Sequence, residues 1–153
     1  MSVDVESSIN LDHDEADVAA FLAANGGRVE RDDRIAGEAG DAAVYWLTMR
    51  PRSHPGERYY VRVEWDAYPY KPPSIKFAEG IRGSLTVNRA WPMITGYRPG
   101  SFDICRPMCR EGYGIHPEWR QGSTAWPTDG NPFLWVTQMI QFHLDNDYQG
   151  RAQ

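Results

Sequence analysis

The chain has 153 residues, of which 41% are hydrophobic, 24% charged and 12% aromatic. This length and composition predict one folded domain and exclude the disordered and collagen-like classes. A net charge of -5 argues against nucleic-acid binding, which needs clustered basic side chains, and no apolar run is long enough to span a membrane. We therefore expect a cytoplasmic protein with neither a nucleic-acid nor a membrane partner.

The first regular pattern along the chain is that of an amphipathic helix, which we expect to begin at Asp12. Apolar residues recur there at helical spacing, Asp12 and Glu15 resemble a capping box, and Gly26-Gly27 is a helix stop. The polar residues 1–11 are expected to form a flexible N-terminus, followed by a single domain over residues 12–153.

Two adjacent strands are predicted over Ala43–Met49 and Tyr59–Trp65, because both segments are rich in β-branched and aromatic residues. The connection from Arg50 to Glu57 contains two prolines and a glycine, and its length favours a hairpin over a crossover. Ile75–Phe77 is predicted to add a further strand. We expect a four-stranded antiparallel meander in total.

Between Ala78 and Gly130 the periodicity disappears. This long irregular segment contains both cysteines and many glycine, proline and tryptophan residues, and long segments of this kind are usually functional. Periodicity returns at Asn131, which is a helix N-cap followed by proline at the first helical position, and continues to Leu144. The predicted order of elements is a helix, antiparallel strands, an irregular segment and a core helix. This order indicates the α+β class.

Cys105 and Cys109 are the two cysteines of the chain, too few for a disulfide framework. Arg106 and Arg110 follow them directly, and nearby guanidinium charge favours the thiolate over the thiol. Either cysteine is therefore a candidate nucleophile. The alternative is that one or both are small buried residues, since free cysteine is often buried in proteins.

His116 is the histidine that shares a segment with the cysteines, and it is a candidate for a direct chemical role. Cys105, Cys109 and His116 also have the ligand types of a zinc site, but structural zinc takes four ligands and no fourth is evident. We accordingly predict no metal and no cofactor. His143 lies within the final helix and is interpreted as a hydrogen-bonded histidine near the core boundary.

The stretch from Tyr59 to Phe77 resembles the central signature of ubiquitin-conjugating enzymes. In that family a strand ends in Tyr-Pro-Phe-Lys-Pro-Pro and the next begins Lys-Val-Lys-Phe. This chain has Tyr68-Pro69-Tyr70-Lys71-Pro72-Pro73 and then Ile75-Lys76-Phe77. Further on, Gly100-Ser-Phe-Asp-Ile-Cys105 is similar to the family's Gly and Ile-Cys pattern, and Ala125-Trp126-Pro127 is similar to its Trp-Ser-Pro segment before a long helix.

The resemblance covers the chain from Asp12 to Asp147 and implies the fold and chemistry of that family. It implies that Cys105 carries a ubiquitin-like modifier as a thioester, with Cys109 as the rival nucleophile. Asp145 and Asp147 fall where the family places an acidic residue that helps to orient and deprotonate the incoming lysine. The implied partners are an activating-enzyme-like protein, a ubiquitin-like modifier and a protein target.

The chain also departs from the family pattern. More residues separate Pro73 from Cys105 than is common, and the family's His-Pro-Asn tripeptide, whose asparagine supports the oxyanion, has no clear counterpart. Asn88 is the nearest asparagine before the cysteine and is the candidate for that role. The C-terminal helices of the eukaryotic members are expected to be missing.

This combination resembles minimal prokaryotic relatives from bacterial ubiquitin-like conjugation and antiphage-defence operons. Two alternatives stay open. One is a catalytically inactive relative that acts as a binding scaffold, and the other is a zinc-stabilised binding module.

Overall fold

A computed structural model of the protein describes residues 5–33 and 42–153. Its helices and strands, in chain order, are α1 (Val5–Ala24), β1 (Arg28–Arg31), β2 (Ala43–Met49), β3 (Tyr59–Trp65), β4 (Ser74–Ala78), β5 (Tyr97–Arg98), β6 (Asp103–Ile104), α2 (Arg110–Ile115) and α3 (Pro132–Asn146). The prediction of an α+β chain with an N-terminal helix and a four-stranded antiparallel sheet is confirmed.

The main sheet is an antiparallel meander in the order β1-β2-β3-β4. Val63 in β3 lies opposite Tyr45 in β2 and Ile75 in β4. Alternate residues of β3, from Tyr59 to Trp65, are buried and the residues between them are half-buried. This alternation places one face of the sheet against the helices, as expected for a strand with one fully covered face.

The opposite face of β2 is covered by the segment that follows β4. Ile81 and Leu85 pack there against Val44, Trp46 and Ala78. This second small core explains why β2 is buried on both faces at most positions. The residues between Pro73 and Cys105 therefore include a cover for the outer side of the sheet.

The helices pack against one another and against the inner face of the sheet. Helix α1 contacts α3, β1 and β2. Aromatic rings fill the space between these layers: the Phe133 ring lies 4.9 Å from that of Tyr45 and 5.5 Å from that of Trp65, both in edge-on arrangements. Edge-on pairs of this kind stabilise a core beyond the area they bury.

Helix α1 begins earlier than the sequence pattern indicated. It starts at Val5 rather than Asp12, so residues 5–11 of the expected flexible N-terminus are helical. Ser7 and Leu11 in this part are buried, and the Ser7 hydroxyl donates to the carbonyl oxygen of Tyr68 at 3.1 Å. Residues 1–4 lie outside the described residues.

The predicted core helix is confirmed as α3. The Asn131 side chain accepts a hydrogen bond from the Leu134 amide, and Pro132 occupies the first turn. The expectation that the chain lacks C-terminal helices needs correction, because α3 is itself a C-terminal helix. The residues that follow it run in extended form and make an antiparallel bridge from Arg151 to Pro92.

The segment expected to be irregular contains only short elements. Strands β5 and β6 form a two-stranded ribbon, and helix α2 is six residues long. Three single turns of 3-10 helix complete it, at Asn88–Ala90, Pro117–Arg120 and Gly122–Thr124. Across the described ranges, no helix is long and apolar enough to cross a bilayer.

Candidate active site around Cys105

Cys105 follows β6 directly and is held by its backbone. Its amide donates to the carbonyl oxygen of Gly96 at 2.7 Å, which extends the β5-β6 ribbon by one hydrogen bond. Gly96 has a φ of +88°, and a Cβ there would lie 3.0 Å from Nε of Arg106. Glycine is therefore needed at the position that faces Cys105. The Cys105 residue is half-buried and its thiol is free.

Cys109 lies in the core. It is 0% exposed, and its thiol donates to the carbonyl oxygen of Ile104 at 3.3 Å. Burial, with a further contribution from the Glu111 charge, raises the pKa of the Cys109 thiol far above its usual range. Of the two thiols, that of Cys105 is consequently the one that a reactant can reach.

The two arginines beside the cysteines are engaged with other groups. Arg106 donates to the Thr95 carbonyl oxygen from Nε at 3.0 Å and from Nη2 at 2.6 Å. Arg110 donates to Asp66 at 3.0 Å, and its amide donates to the Pro73 carbonyl oxygen at 2.7 Å. Both guanidinium groups thus hold the segment that contains the cysteines against Thr95 and Asp66 of the same chain.

The structure separates the two candidate acidic residues. Asp147 caps the end of α3, where its carboxylate accepts from the Thr95 amide at 3.1 Å and lies 3.5 Å from Nη2 of Arg106. Asp145 lies inside α3 rather than after it, and accepts from the Arg52 amide at 2.8 Å. Asp147 therefore contacts the Cys105 segment, whereas Asp145 faces the β2–β3 connection.

Asn88 and His116 are placed at the surface. Asn88 begins a 3-10 turn and is exposed, and within the described chain its side chain makes no hydrogen bond. The His116 ring stacks on that of Trp119 at 4.2 Å between centroids and lies 3.4 Å from a Glu118 oxygen. Neither forms a hydrogen bond with Cys105 among the residues that the structure describes.

The zinc interpretation requires the thiols and His116 to share one site. Residues 5–33 and 42–153 contain no group of three histidine, cysteine or acidic side chains close enough to hold a metal ion. The Cys109 thiol points toward a backbone carbonyl in the core, and His116 stacks on Trp119. The arrangement gives the zinc-stabilised module no support.

Tyr97 and His143 form a buried pair beneath the β5-β6 ribbon, which the sequence did not predict as part of the site. The Tyr97 hydroxyl lies 2.9 Å from Nδ1 of His143, and His143 is 3% exposed. Burial, reinforced by the positive charge of Arg106, lowers the pKa of His143 to about 4, against the opposing effect of Asp147. The imidazole of His143 is thus uncharged at neutral pH. This agrees with its interpretation as a hydrogen-bonded histidine.

The chain after α3 supports the segment that precedes Gly96. The Met93 amide donates to Gly150 at 2.7 Å, the Gln149 amide to Met93 at 2.9 Å and the Ala152 amide to Trp91 at 2.9 Å. Arg151 adds hydrogen bonds to the backbone oxygens of Arg89 and Arg58, both at 2.8 Å. No periodic pattern marks this pairing in the sequence, because it consists mainly of backbone hydrogen bonds around one isolated bridge between Pro92 and Arg151.

A small cavity of about 170 Å³ adjoins the residues after Cys105. Its walls come from the loop that carries the cysteines, from the turn before Trp126 and from α3, and are formed by Arg106, Pro107, Met108, Ser123, Thr124, Ala125, Trp135, Met139 and His143. The walls are mostly uncharged.

Comparisons with protein-family models, with curated proteins and with solved structures find no match to this chain.

Proposed function

We propose that the protein is a conjugating enzyme of the ubiquitin-conjugating type, with Cys105 as its nucleophile. The observation that carries the proposal is the contrast between the two thiols: Cys105 is partly exposed on an anchored ribbon, whereas Cys109 is sealed in the core. A thioester enzyme needs one accessible thiol held in a fixed place. The Tyr68–Pro73 motif and its order relative to Cys105 add support.

In the proposed reaction, the Cys105 thiolate attacks the carbonyl carbon of the modifier's C-terminal glycine, held as a thioester on an activating-enzyme-like partner. A carbon–sulfur bond forms at Cys105, the partner's carbon–sulfur bond breaks, and the partner's thiolate leaves. An amine of the target then attacks the new thioester. The carbon–nitrogen bond forms while the carbon–sulfur bond to Cys105 breaks, and the proton lost by the amine balances the protonation of the departing Cys105 thiolate.

Asp147 is the better of the two acidic candidates for a role in the second step. It contacts Thr95 and Arg106, on either side of the Gly96–Cys105 hydrogen bond. Asp145 is bound to Arg52 and to Gln141 on another side of α3. We propose that Asp147 helps to place the incoming amine, and that Asp145 is structural. The proposed setting is a bacterial conjugation or antiphage-defence system in the cytoplasm.

The test uses the purified protein, the activating-enzyme-like protein and the modifier that are encoded beside it in the genome, and ATP. We expect an adduct that reductant cleaves, that is lost in Cys105→Ala and that persists in Cys109→Ala. Cys105→Ser should give an adduct that reductant does not cleave. For the second step, Asp147→Asn should slow discharge to free lysine more than Asp145→Asn. An adduct that survives Cys105→Ala would overturn the assignment.

A binding scaffold without transfer chemistry is the second candidate, and the position of Asn88 favours it. Asn88, the candidate for the family's oxyanion asparagine, is exposed, and its side chain makes no hydrogen bond in the described structure that would hold it toward Cys105. A scaffold would bind the modifier without forming any adduct, and Cys105→Ala would bind it equally well. The same assay therefore separates the two functions.

A further inference from the structure

Another cavity, also of about 170 Å³, lies where the start of β3, the end of β4 and the chain after α3 meet. Three arginines line it, Arg58, Arg89 and Arg151, and the buried Ala78 and Ala90 give it an apolar wall. Sites for whole drug-sized ligands have volumes of about 300 Å³ or more. The size and the lining of this cavity therefore suit a small anionic group.

Arg151 holds together the two segments that carry the other arginines. It donates from Nη1 to the Arg89 carbonyl oxygen and from Nη2 to that of Arg58, both at 2.8 Å. Its own position is fixed by Glu57, which accepts from Nε at 3.1 Å, and by the Tyr59 ring, whose centroid lies 4.2 Å from Cζ. The backbone on both sides of the cavity is thus in place before a ligand binds, which reduces the ordering cost of binding.

The side chains of Arg58 and Arg89 keep their donors available. Across residues 5–33 and 42–153 neither guanidinium group forms a hydrogen bond or an ion pair, and both residues are exposed. A guanidinium group presents paired N–H donors whose spacing matches two oxygens of a phosphate or carboxylate. Two such groups that reach one cavity from different segments suit an anion with several oxygens.

Positive charge exceeds negative charge around this cavity. The three arginines face two carboxylates, of which Glu57 is already paired with Arg151 and Glu79 lines the cavity. This local excess contrasts with the net charge of -5 of the whole chain. Concave sites of one charge sign with apolar walls concentrate ions of the opposite sign.

We propose that this cavity binds a phosphate group, either as a free ion or as the phosphate of a small molecule. Arg58 and Arg89 donate to its oxygens, and Arg151 adds positive charge. Phosphate is favoured over a carboxylate because it has more oxygens and carries close to two negative charges. A nucleic acid is not favoured, because its binding needs many basic groups along an extended face. The proposal is independent of the transfer chemistry at Cys105.

The test titrates the purified protein with inorganic phosphate, pyrophosphate and ATP in separate calorimetric experiments at constant ionic strength. We expect saturable binding of one ligand per chain, with a Kd in the millimolar range or tighter. Tightest binding of phosphate or pyrophosphate would identify a free anion as the ligand. Tightest binding of ATP would identify the phosphate chain of a nucleotide, and either result supports the proposal.

Substitutions locate the binding site. Arg58→Gln/Arg89→Gln should bind about tenfold more weakly, since each exposed ion pair contributes up to about fivefold. The matched control, Arg28→Gln/Arg120→Gln, removes the same charge at two separate exposed positions and should bind like the wild type. Glu79→Gln should bind up to about fivefold more tightly, because it removes the carboxylate that repels the anion.

Chemical modification of arginine provides a readout that needs no variant. The ligand should protect Arg58 and Arg89 from phenylglyoxal and leave the modification of the exposed Arg120 unchanged. Mass spectrometry of proteolytic peptides reports all three sites in the same sample.

Four results would each overturn the proposal. They are absence of saturable binding of all three ligands up to about 10 mM, equal weakening in both double variants, no protection of Arg58 and Arg89, and acetate binding as tight as that of phosphate. Tighter binding of a single-stranded DNA oligonucleotide than of ATP, with protection of the same two arginines, would assign the cavity to nucleic acid and would also overturn it.

Discussion

The Tyr97 hydroxyl and Nδ1 of His143 lie 2.9 Å apart in the interior, and β5, which contains Tyr97, pairs with the strand that leads to Cys105. Because the imidazole of His143 is buried, the folded protein loses stability when that ring is protonated. The pair therefore ties the stability of the Cys105 region to pH.

We predict a loss of stability on acidification that depends on His143. Its pKa is 6.5 when unfolded and is lowered to about 4 in the folded chain, first by burial and then by Arg106. Above 6.5 the imidazole is neutral in both states and contributes no pH dependence. Between pH 6.5 and about pH 4 only the unfolded chain takes up the proton. The free energy of unfolding should therefore fall by on the order of 3 kcal/mol across that pH window.

Urea unfolding at a series of pH values, with wild type and His143→Gln, measures this contribution. The glutamine side chain can still bond the Tyr97 hydroxyl but does not titrate. The difference in free energy of unfolding between the two proteins should change by that amount between neutral pH and pH 4. A difference that stays constant with pH would contradict the prediction.

Alkylation should distinguish the two cysteines in the folded protein. With iodoacetamide at mildly alkaline pH, Cys105 should be modified and Cys109 protected, because Cys109 is 0% exposed and its thiol pKa is raised. Peptide mapping by mass spectrometry gives the extent at each site. In denaturant both should react, which is the control, and faster native modification of Cys109 would refute the assignment of the accessible thiol.

Two glycines of helix α2 should differ sharply when replaced by alanine. A Cβ at Gly112 would lie 1.8 Å from the Arg106 carbonyl oxygen, whereas a Cβ at Gly114 would meet no atom within 4 Å. Gly112→Ala should therefore destabilise the protein by at least about 2 kcal/mol, because backbone must move to relieve the clash. Gly114→Ala should change stability by no more than about 1 kcal/mol, with alanine favoured by its helix propensity.

Chemical denaturation of the two variants measures the contrast directly. Gly112→Ala should also increase native alkylation of Cys109, since the displaced Arg106 backbone belongs to the loop between the cysteines. Equal stability of the two alanine variants would show that α2 does not press against that loop.

Arg151 should contribute more to stability than an ordinary surface arginine. Its guanidinium lies 4.2 Å from the centroid of the Tyr59 ring and donates to Glu57 at 3.1 Å, besides its two backbone contacts. Arg151→Ala should cost about 1–3 kcal/mol, and Arg151→Lys should restore only part of it, because a single ammonium cannot reproduce the planar contacts.

Arg28→Ala is the matched control, since Arg28 is exposed and forms a single surface pair with Glu30 at 2.8 Å. Its loss should change the free energy of unfolding by no more than about 1 kcal/mol. Urea midpoints at constant slope report both effects, and a cost for Arg151→Ala no larger than that for Arg28→Ala would argue against an anchoring role.

The elements that the sequence predicted correctly are those whose pattern is local. Strands β2 and β3 and helix α3 have strong periodicity or a capping pair, and their bounds match the prediction closely. Strand β1 has a single apolar residue, Val29, and exists because it pairs with β2. The first turns of α1 are likewise fixed by a distant contact, from Ser7 to Tyr68.

The same distinction applies to the site. Cys105 and Cys109 have nearly equivalent sequence surroundings, each followed by an arginine. Only tertiary packing buries one thiol beneath Ile104 and leaves the other on the ribbon. The directions of Arg106 and Arg110, toward Thr95 and Asp66, also depend on residues far along the chain and could not be inferred from spacing.

The extended segment after α3 has a consequence for how the protein forms during synthesis. Thr95 and Asp147 are 52 residues apart, and the tail that pairs with Trp91 and Met93 comes later still. Such distant pairing cannot form until both partners have left the ribosome. A nascent chain can thus pair all four strands of its main sheet before the segment that supports the ribbon bearing Cys105 has been synthesised.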